Sequence, residues 1–231
     1  MKRTQTSSPA AERGDTTRHK LLLAAIEVFG RLGYDGATTR ALAVAAGVNL
    51  QAIPYHFGGK EGLYQAVVAH IADHIAARMG PLRLRLAARF AAEAHGQPII
   101  ADEARVLLVD LLRTLAEFLI RPEMESWARV VIREQMEPSP AFDYLFRVGM
   151  EPQFAAARLL VGRVAGLDPA NEWVGVRTFG LIGGVLMFRT AHGAVLRGMG
   201  WETMGPEQIA LIRRLVEELV AGLPAAGEAT R

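Results

Sequence analysis

The sequence predicts an all-α fold, with a small N-terminal three-helix unit followed by a larger helical body. Three observations carry this. Apolar residues recur at helical spacing through nearly the whole chain. No stretch alternates apolar and polar residues as a half-buried strand would. Helix starts are marked: Ser139-Pro140 and Asp168-Pro169 each place a capping side chain before a proline at the first helical position.

Taken in order, residues 1–14 are polar and small and read as a disordered arm. Over 16–32, Leu22, Leu23, Ile26 and Phe29 fall on one helical face, and Gly33 ends the run. A short helix follows over 39–46 and a second over 50–57. A longer helix starts near Lys60 and runs towards Met79, where Gly80-Pro81 is expected to stop it. Arg121-Pro122-Glu123 separates two further helices. Glycines 175, 180, 183, 184 and 193 mark one helix over 171–198, and Gly205-Pro206 opens the last, which ends near Leu223-Pro224. The domain division expected from this has a seam near 58–80: a helix-turn-helix domain over 15–60, a helical body over 61–223 and a flexible tail over 224–231.

Composition narrows the function classes. Hydrophobic residues make up 51% and charged residues 22% of 231, enough for a sizeable core and a solvated surface. Cysteine is absent, which excludes disulfides, thiolate metal sites and cysteine nucleophiles, and fits a cytoplasmic setting. The opening MKRTQTSSPAAERGDTTR lacks the apolar core of a signal peptide, and the longest apolar stretch, over 178–188, is too short to span a bilayer. Residues 1–60 hold eight Lys/Arg against four acids, whereas the remainder holds 18 against 20. A basic end on a slightly acidic body is the balance expected where only that end meets phosphate. His70 and His74, spaced i, i+4, have the spacing of a chelating pair, but no third ligand is evident and no metal or other cofactor is expected. No catalytic triad, phosphate loop or carboxylate dyad is recognisable, so an enzyme is not expected.

The informative segment is TTRALAVAAGVNLQAIPYHF, residues 38–57. A helix-turn-helix needs a small residue where the second helix crosses the first, and Ala43 supplies it. It needs a residue tolerant of positive φ in the turn, and Gly47 stands four positions later. Leu42, Val48 and Ile53 are spaced to glue the helices together. Asn49 is placed to cap the second helix, leaving Gln51, Pro54, Tyr55 and His56 on faces available to DNA.

The longer run TTRALAVAAGVNLQAIPYHFGGKEGLYQAVV, following FGRLGYDGATT, resembles the N-terminal domain of TetR-family regulators. The landmarks are Phe29, Gly33, Thr38-Thr39, Ala43, Gly47-Val48, Tyr55-His56-Phe57, Lys60-Glu61 and Leu63-Tyr64. The resemblance implies a recognition helix at about 49–55, with Thr38, Tyr55 and Lys60 gripping phosphates. The DNA-contacting set expected is Thr38, Thr39, Arg40, Asn49, Leu50, Gln51, Pro54, Tyr55, His56 and Lys60. Two departures stand out: Pro54 lies within the recognition helix, and Gly58-Gly59 occupies the place where a serine often caps the fourth helix. VVIREQMEPSPAFDYLF and LIGGVLMFRTAHGAVLRGMGWETMGPEQIALI resemble the CerR/CecR-type C-terminal domain of a TetR subgroup.

The resemblance implies a transcriptional repressor that binds a palindromic operator on double-stranded DNA as a homodimer and is released by a small-molecule effector, with no membrane role. The glycine-rich helix and the stripe Ile209, Ile212, Leu215, Val216 and Leu219 suit either a dimer interface or an internal core. The body is accordingly expected to serve ligand binding and dimerisation, with Leu111, Phe118, Trp127, Arg133, Met136, Phe146 and Met150 as candidate pocket residues; Arg133 and Gln135 are the polar groups of an otherwise apolar helix. The competing reading is a small-molecule binding or interaction protein with a degenerate helix-turn-helix, supported by Pro54.

Overall fold

The structure is a computed structural model and describes residues 9–225. It is all-α, with no strand among the described residues. The helices are α1 (Pro9–Gly36), α2 (Thr39–Ala46), α3 (Ala52–Phe57), α4 (Lys60–Ala94), α5 (Ala101–Ile120), α6 (Glu125–Met136), α7 (Phe142–Tyr144), α8 (Glu151–Ala165), α9 (Glu172–Thr190), α10 (His192–Met199) and α11 (Pro206–Ala221). A π-helical turn, Leu145–Met150, joins α7 to α8.

The chain divides into two compact units. The first holds the residues through Ile71 together with Ser126–Asp143; the second holds Ala72–Glu125 and the residues from Tyr144 onward. The unit that contains the helix-turn-helix therefore extends past the boundary expected at residue 60 and takes in most of α6. Two close approaches within that unit show why. Ser126 Oγ donates to Glu27 Oε2 at 2.6 Å, and the Arg133 guanidinium lies against the backbone at Gly33, where α1 breaks (φ 75°, ψ 178°).

Three elements differ from the sequence expectation. First, residues 9–14, expected within the polar arm, belong to α1, where Ala10, Ala11 and Glu12 are strong helix formers. The rest of that arm, and residues 226–231 of the expected tail, lie outside the described residues. Second, α4 does not stop at Gly80-Pro81 but runs through it. Pro81 has no N–H to give the Ala77 carbonyl, yet Met79, Leu82 and Leu86, all buried, hold both sides of the break in one packed face. Third, the glycine-rich helix is two helices, α9 and α10, bent by 80° at Ala191.

The core of the second unit is built from α5, α8, α9 and α11, through Leu108, Leu112, Leu160, Val164, Ile182 and Val216. Arginines satisfy the carbonyls left over at helix ends. Arg189, buried, donates to the carbonyls of Leu119 and Arg121 at the end of α5, both at 2.6 Å. Arg105 does the same for Val220 and Leu223 at the end of α11, at 2.7 and 2.9 Å. Burial draws the Arg189 guanidinium below its ordinary value, opposed by nearby Glu125 and Glu123. No single helix among the described residues is long and apolar enough to cross a membrane.

Candidate nucleic-acid interface

The first unit hangs on one apolar nucleus. Leu21, Ile26 and Phe29 of α1, Leu42 of α2, Ile53 of α3 and Leu63 and Val67 of α4 are all essentially inaccessible. Leu42 and Ile53 pin α2 to α3, and Ala43, buried, leaves room for the crossing. Thr38 caps α2: its Oγ1 accepts from Ala41 N at 3.1 Å. The turn after α2 needs a left-handed residue. Gly47 takes φ 63°, and the backbone N–H groups of Gly47 and Val48 close on the carbonyls of Val44 and Ala43 at 3.1 and 3.0 Å.

Asn49 does not cap α3 itself, where Gln51 holds the N-cap position without a side-chain cap bond, but closes the turn ahead of it. Its Oδ1 accepts from Gln51 N at 2.9 Å, and its carbonyl accepts from Ala52 N at 2.9 Å, so a turn over Leu50 and Gln51 leads into α3. Pro54 fits this start. The Leu50 carbonyl, whose donor in a regular helix would be residue 54, accepts from Ile53 N at 3.3 Å instead, and Tyr55 N reaches Gln51 O at 3.2 Å. Proline in the first turn of α3 thus leaves no carbonyl stranded, and the case for a degenerate motif built on Pro54 loses its footing.

Exposure sorts the faces. Ile53 points inward, while Leu50, Gln51, Pro54 and Tyr55 are exposed at i, i+1, i+4 and i+5, one face of the helix. Tyr55 is 83% exposed. Thr38 and Arg40 at the start of α2 and Asn49 are also exposed, and Thr39, His56 and Lys60 are half-buried. Val44, an apolar residue of α2 that sequence reasoning passed over, is 74% exposed. The junction to α4 explains the second departure: Gly58 and Gly59 take φ 75° and 141°, a pair of positive angles that a serine would enter only under strain. A Cβ on Gly62 would overlap the Phe57 carbonyl oxygen, so the end of α3 lies directly on α4.

Cations line the same unit. The Lys60 ammonium sits 4.4 Å from the centre of the Tyr34 ring, and the Arg18 guanidinium 5.2 Å from that of Phe57. Behind Lys60, Phe29, Tyr34 and Tyr64 form an aromatic cluster, with Tyr64 5.0 and 5.1 Å from the other two. The Tyr64 hydroxyl donates to Glu134 Oε1 at 2.6 Å, and Glu134 Oε2 accepts from Ser139 Oγ at 2.9 Å. Burial first, then the Glu134 hydrogen bond and charge, push the Tyr64 phenol well above its ordinary range.

Comparison with known proteins agrees with this geometry over both parts of the chain. Residues 21–67 match the profile of the family described as bacterial regulatory proteins, tetR family. Residues 104–227, more than half of the chain, match the C-terminal domain of the HTH-type transcriptional dual regulator CecR. The chain belongs to the TetR family of DNA-binding transcriptional regulators, with a CecR-type C-terminal domain. CecR of Shigella flexneri is 29% identical over 204 residues, covering 88% of this chain and 89% of that protein. The HTH-type transcriptional repressor AcnR of Corynebacterium glutamicum is 30% identical over 138 residues, 59% of each chain. In fold, the TetR-family regulator PfmR of Thermus thermophilus superposes with a TM-score of 0.59 at 16% identity, covering 88% of this chain and 98% of that one.

The candidate effector residues of this TetR-family chain fall in both units. Trp127, Arg133 and Met136 belong to the first; Leu111, Phe118, Phe146 and Met150 to the second. Met136 is 76% exposed, because it ends α6 just ahead of Glu137-Pro138 and turns to solvent. Trp127 faces the His70 ring at 5.4 Å, and Phe118 the His74 ring at 5.9 Å, so the two histidines look at different aromatic partners. Arg133 walls a cavity of about 390 Å³ within the first unit, beside Tyr34, Tyr64 and Glu134, whose lining is polar and apolar in about equal parts. Of the residues expected in a sensor pocket, Leu111 alone lines the cavity of about 230 Å³ in the second unit; Phe118 is buried elsewhere in the core, and Phe146 and Met150 are half-buried. That cavity is walled by α4 on both sides of Pro81, by Leu111 of α5 and by the first half of α8. Sequence reasoning missed Gln153 and Arg83 in its wall. The available signal for Gln153 was a lone amide in the otherwise apolar start of EPQFAAARLLV.

Proposed function

We propose that the chain is a homodimeric repressor that releases its operator when a small molecule enters the second unit. The observation that carries the reading is the outward face of α3, with Gln51 and Tyr55 exposed beside the capped start of α2. On this reading α3 enters the major groove. Gln51 reads an adenine edge bidentately, Leu50 and Pro54 add apolar contact, and Thr38, Thr39, Arg40, Asn49, Tyr55, His56 and Lys60 hold the phosphates on either side. Two copies set their α3 helices about 34–36 Å apart, the spacing of successive major grooves.

The dimer surface is assigned to α9 and α11. Val176, Phe179, Gly180, Gly183 and Met187 of α9 and Leu211 and Leu219 of α11 are exposed, an apolar, glycine-punctuated face of the kind that marks protein contact sites. AcnR carries the name repressor and CecR that of dual regulator, so repression of at least one gene is the reading adopted for this chain. The effector acts through α4, which begins in the reading unit and continues into the body, where it walls the cavity. The setting is the cytoplasm, where the operator lies.

A gel shift with the DNA upstream of the protein's own gene tests the whole. Saturable binding that protects two half-sites one helical turn apart is expected, and binding no tighter than to unrelated DNA overturns it. In the same assay Lys60→Ala should weaken binding alike on all sequences and shrink the slope of log affinity against log salt by about one unit.

A further inference from the structure

Resting on the reading that α3 enters the major groove, we infer that Arg18 is a further phosphate-binding residue and that Tyr34 and Phe57 are positioning residues, which seat Lys60 and Arg18 against the DNA backbone at the C-terminal end of α3. Placement comes first. Phe57 is the last residue of α3 and Lys60 the first of α4. α1 runs beside the same end: a Cβ on Gly14 would come within 4.0 Å of His56 Cε1, and Arg18 lies one turn further along that face. The exposed Arg18 guanidinium stands 5.2 Å from the centre of the Phe57 ring, and the Lys60 ammonium 4.4 Å from that of Tyr34. Both lie within the roughly 6 Å over which a ring face attracts a cation.

The kind of seat matters. A carboxylate partner would neutralise each cation and compete with phosphate for it. A ring face restrains the side chain and leaves its charge to offer. Neither Arg18 nor Lys60 makes an ion pair among the described residues.

The rings are themselves held. Tyr34 lies nearly parallel to Phe29, with centres 6.2 Å apart and planes at 16°, and edge-on to Tyr64 at 5.1 Å; both neighbours are buried. Phe57 is held where α3 packs on α4, its carbonyl oxygen against Gly62. Lysine and arginine are among the side chains that lose most rotamer freedom when fixed on a ligand. Seating each of them before DNA arrives therefore raises affinity by about 2- to 10-fold.

The test measures binding of the full-length protein by fluorescence anisotropy across a salt series. Two duplexes of equal length are compared, the DNA upstream of the protein's own gene and an unrelated sequence. Arg18→Ala should weaken binding to both alike and shrink the slope of log affinity against log salt by about one unit. Tyr34→Leu removes a seat but no charge, so affinity should fall about 2- to 10-fold with the slope unchanged, and Tyr34→Phe, which keeps a ring face, should restore it. In a Lys60→Ala background Tyr34→Leu should cost nothing more, and Phe57→Leu should cost nothing more once Arg18 is replaced by alanine. Arg18 is exposed on α1, so its result stands even where a ring variant fails to fold. An unchanged slope in Arg18→Ala overturns the added phosphate contact. A Tyr34→Leu loss that persists in full without Lys60, or that Tyr34→Phe does not restore, overturns the seat. The two duplexes separate this from the reading beneath it: equal native affinity for both overturns the operator and leaves the phosphate grip standing, and binding to neither overturns both.

Discussion

Removing one hydroxyl should loosen the reading unit. Tyr64 lies on α4, one turn after Lys60, and its O–H is the single donor on Glu134 Oε1 among the described residues, while Ser139 serves the other oxygen. Tyr64→Phe keeps the ring contacts with Phe29 and Tyr34 and deletes only that bond. Glu134 is 1% exposed, so water has little access to replace the donor. A hydrogen bond to a charged group contributes about 1.5–3 kcal/mol, and Glu134 retains its Ser139 partners, so about 2 kcal/mol is expected. For a chain of this length that is a fall in Tm of about 4–8 °C. The control is a double-mutant cycle with Glu134→Met. With no carboxylate left to satisfy, Tyr64→Phe should there cost under about 0.5 kcal/mol. Thermal and urea denaturation at neutral pH read both numbers. A Tyr64→Phe protein within about 0.5 kcal/mol of the native one, or an equal loss in both backgrounds, refutes the reasoning.

The dimer face predicts that Phe179→Glu, on a residue 62% exposed, yields a monomer in sedimentation while helicity is retained; an intact dimer removes α9 from the interface. Acid should act on the second unit through Glu93 and Glu103, whose carboxyls are held below their usual range chiefly by hydrogen bonds from Arg163 and Arg89. A lowered folded pKa gives stability that is present above the ordinary glutamate value of about 4.3 and is lost as pH falls through the lower folded values. Glu93→Gln should therefore flatten the acid limb of a stability-versus-pH curve, and an unaltered limb shows the pair to be inert.

How legible this protein was depended on how local each feature is. Ala43 and Gly47 act through atoms within a few residues, so spacing alone assigns the crossing and the turn that the structure contains; the cap was expected at Asn49, whereas the structure has Thr38 capping α2 and Asn49 closing a turn ahead of α3. The helix across Gly80-Pro81 was not legible, because the buried contacts of Met79, Leu82 and Leu86 that hold it come from outside the segment. The cavity was harder still. Hydropathy picked out Phe118, Trp127 and Met136, but it cannot separate a residue that lines a void from one that fills it or faces solvent. Gln153 was passed over, because its burial and its unpaired amide oxygen are set by packing partners distant in sequence. Arg133 carried polarity into an apolar helix as read, but it answers the break in α1 at Gly33.

Pro81 gives the proposed coupling its most direct test. α4 is a single helix of 35 residues that begins at Lys60 and, twenty residues on, passes the cavity wall. Bending a regular helix means breaking backbone bonds. Here one of them is missing already, because Pro81 cannot donate to Ala77, and cavity residues stand on both sides of the gap, Met79 before it and Leu82 and Arg83 after it. A ligand that shifts these residues acts where α4 bends most readily. Pro81→Ala restores the donor in a backbone already helical. It should raise stability, by up to the roughly 3 kcal/mol that proline costs a helix interior, and protect the amides around 77–85 from hydrogen exchange. A stiffer α4 should also transmit less, so a compound that releases the native protein from its operator should still bind the variant but release it less. Coupling in this kind of switch is about 1–3 kcal/mol, and a drop of half that range is readable in paired titrations with and without operator. Gained stability with full coupling would show that α4 moves as a rigid rod and that Pro81 is incidental.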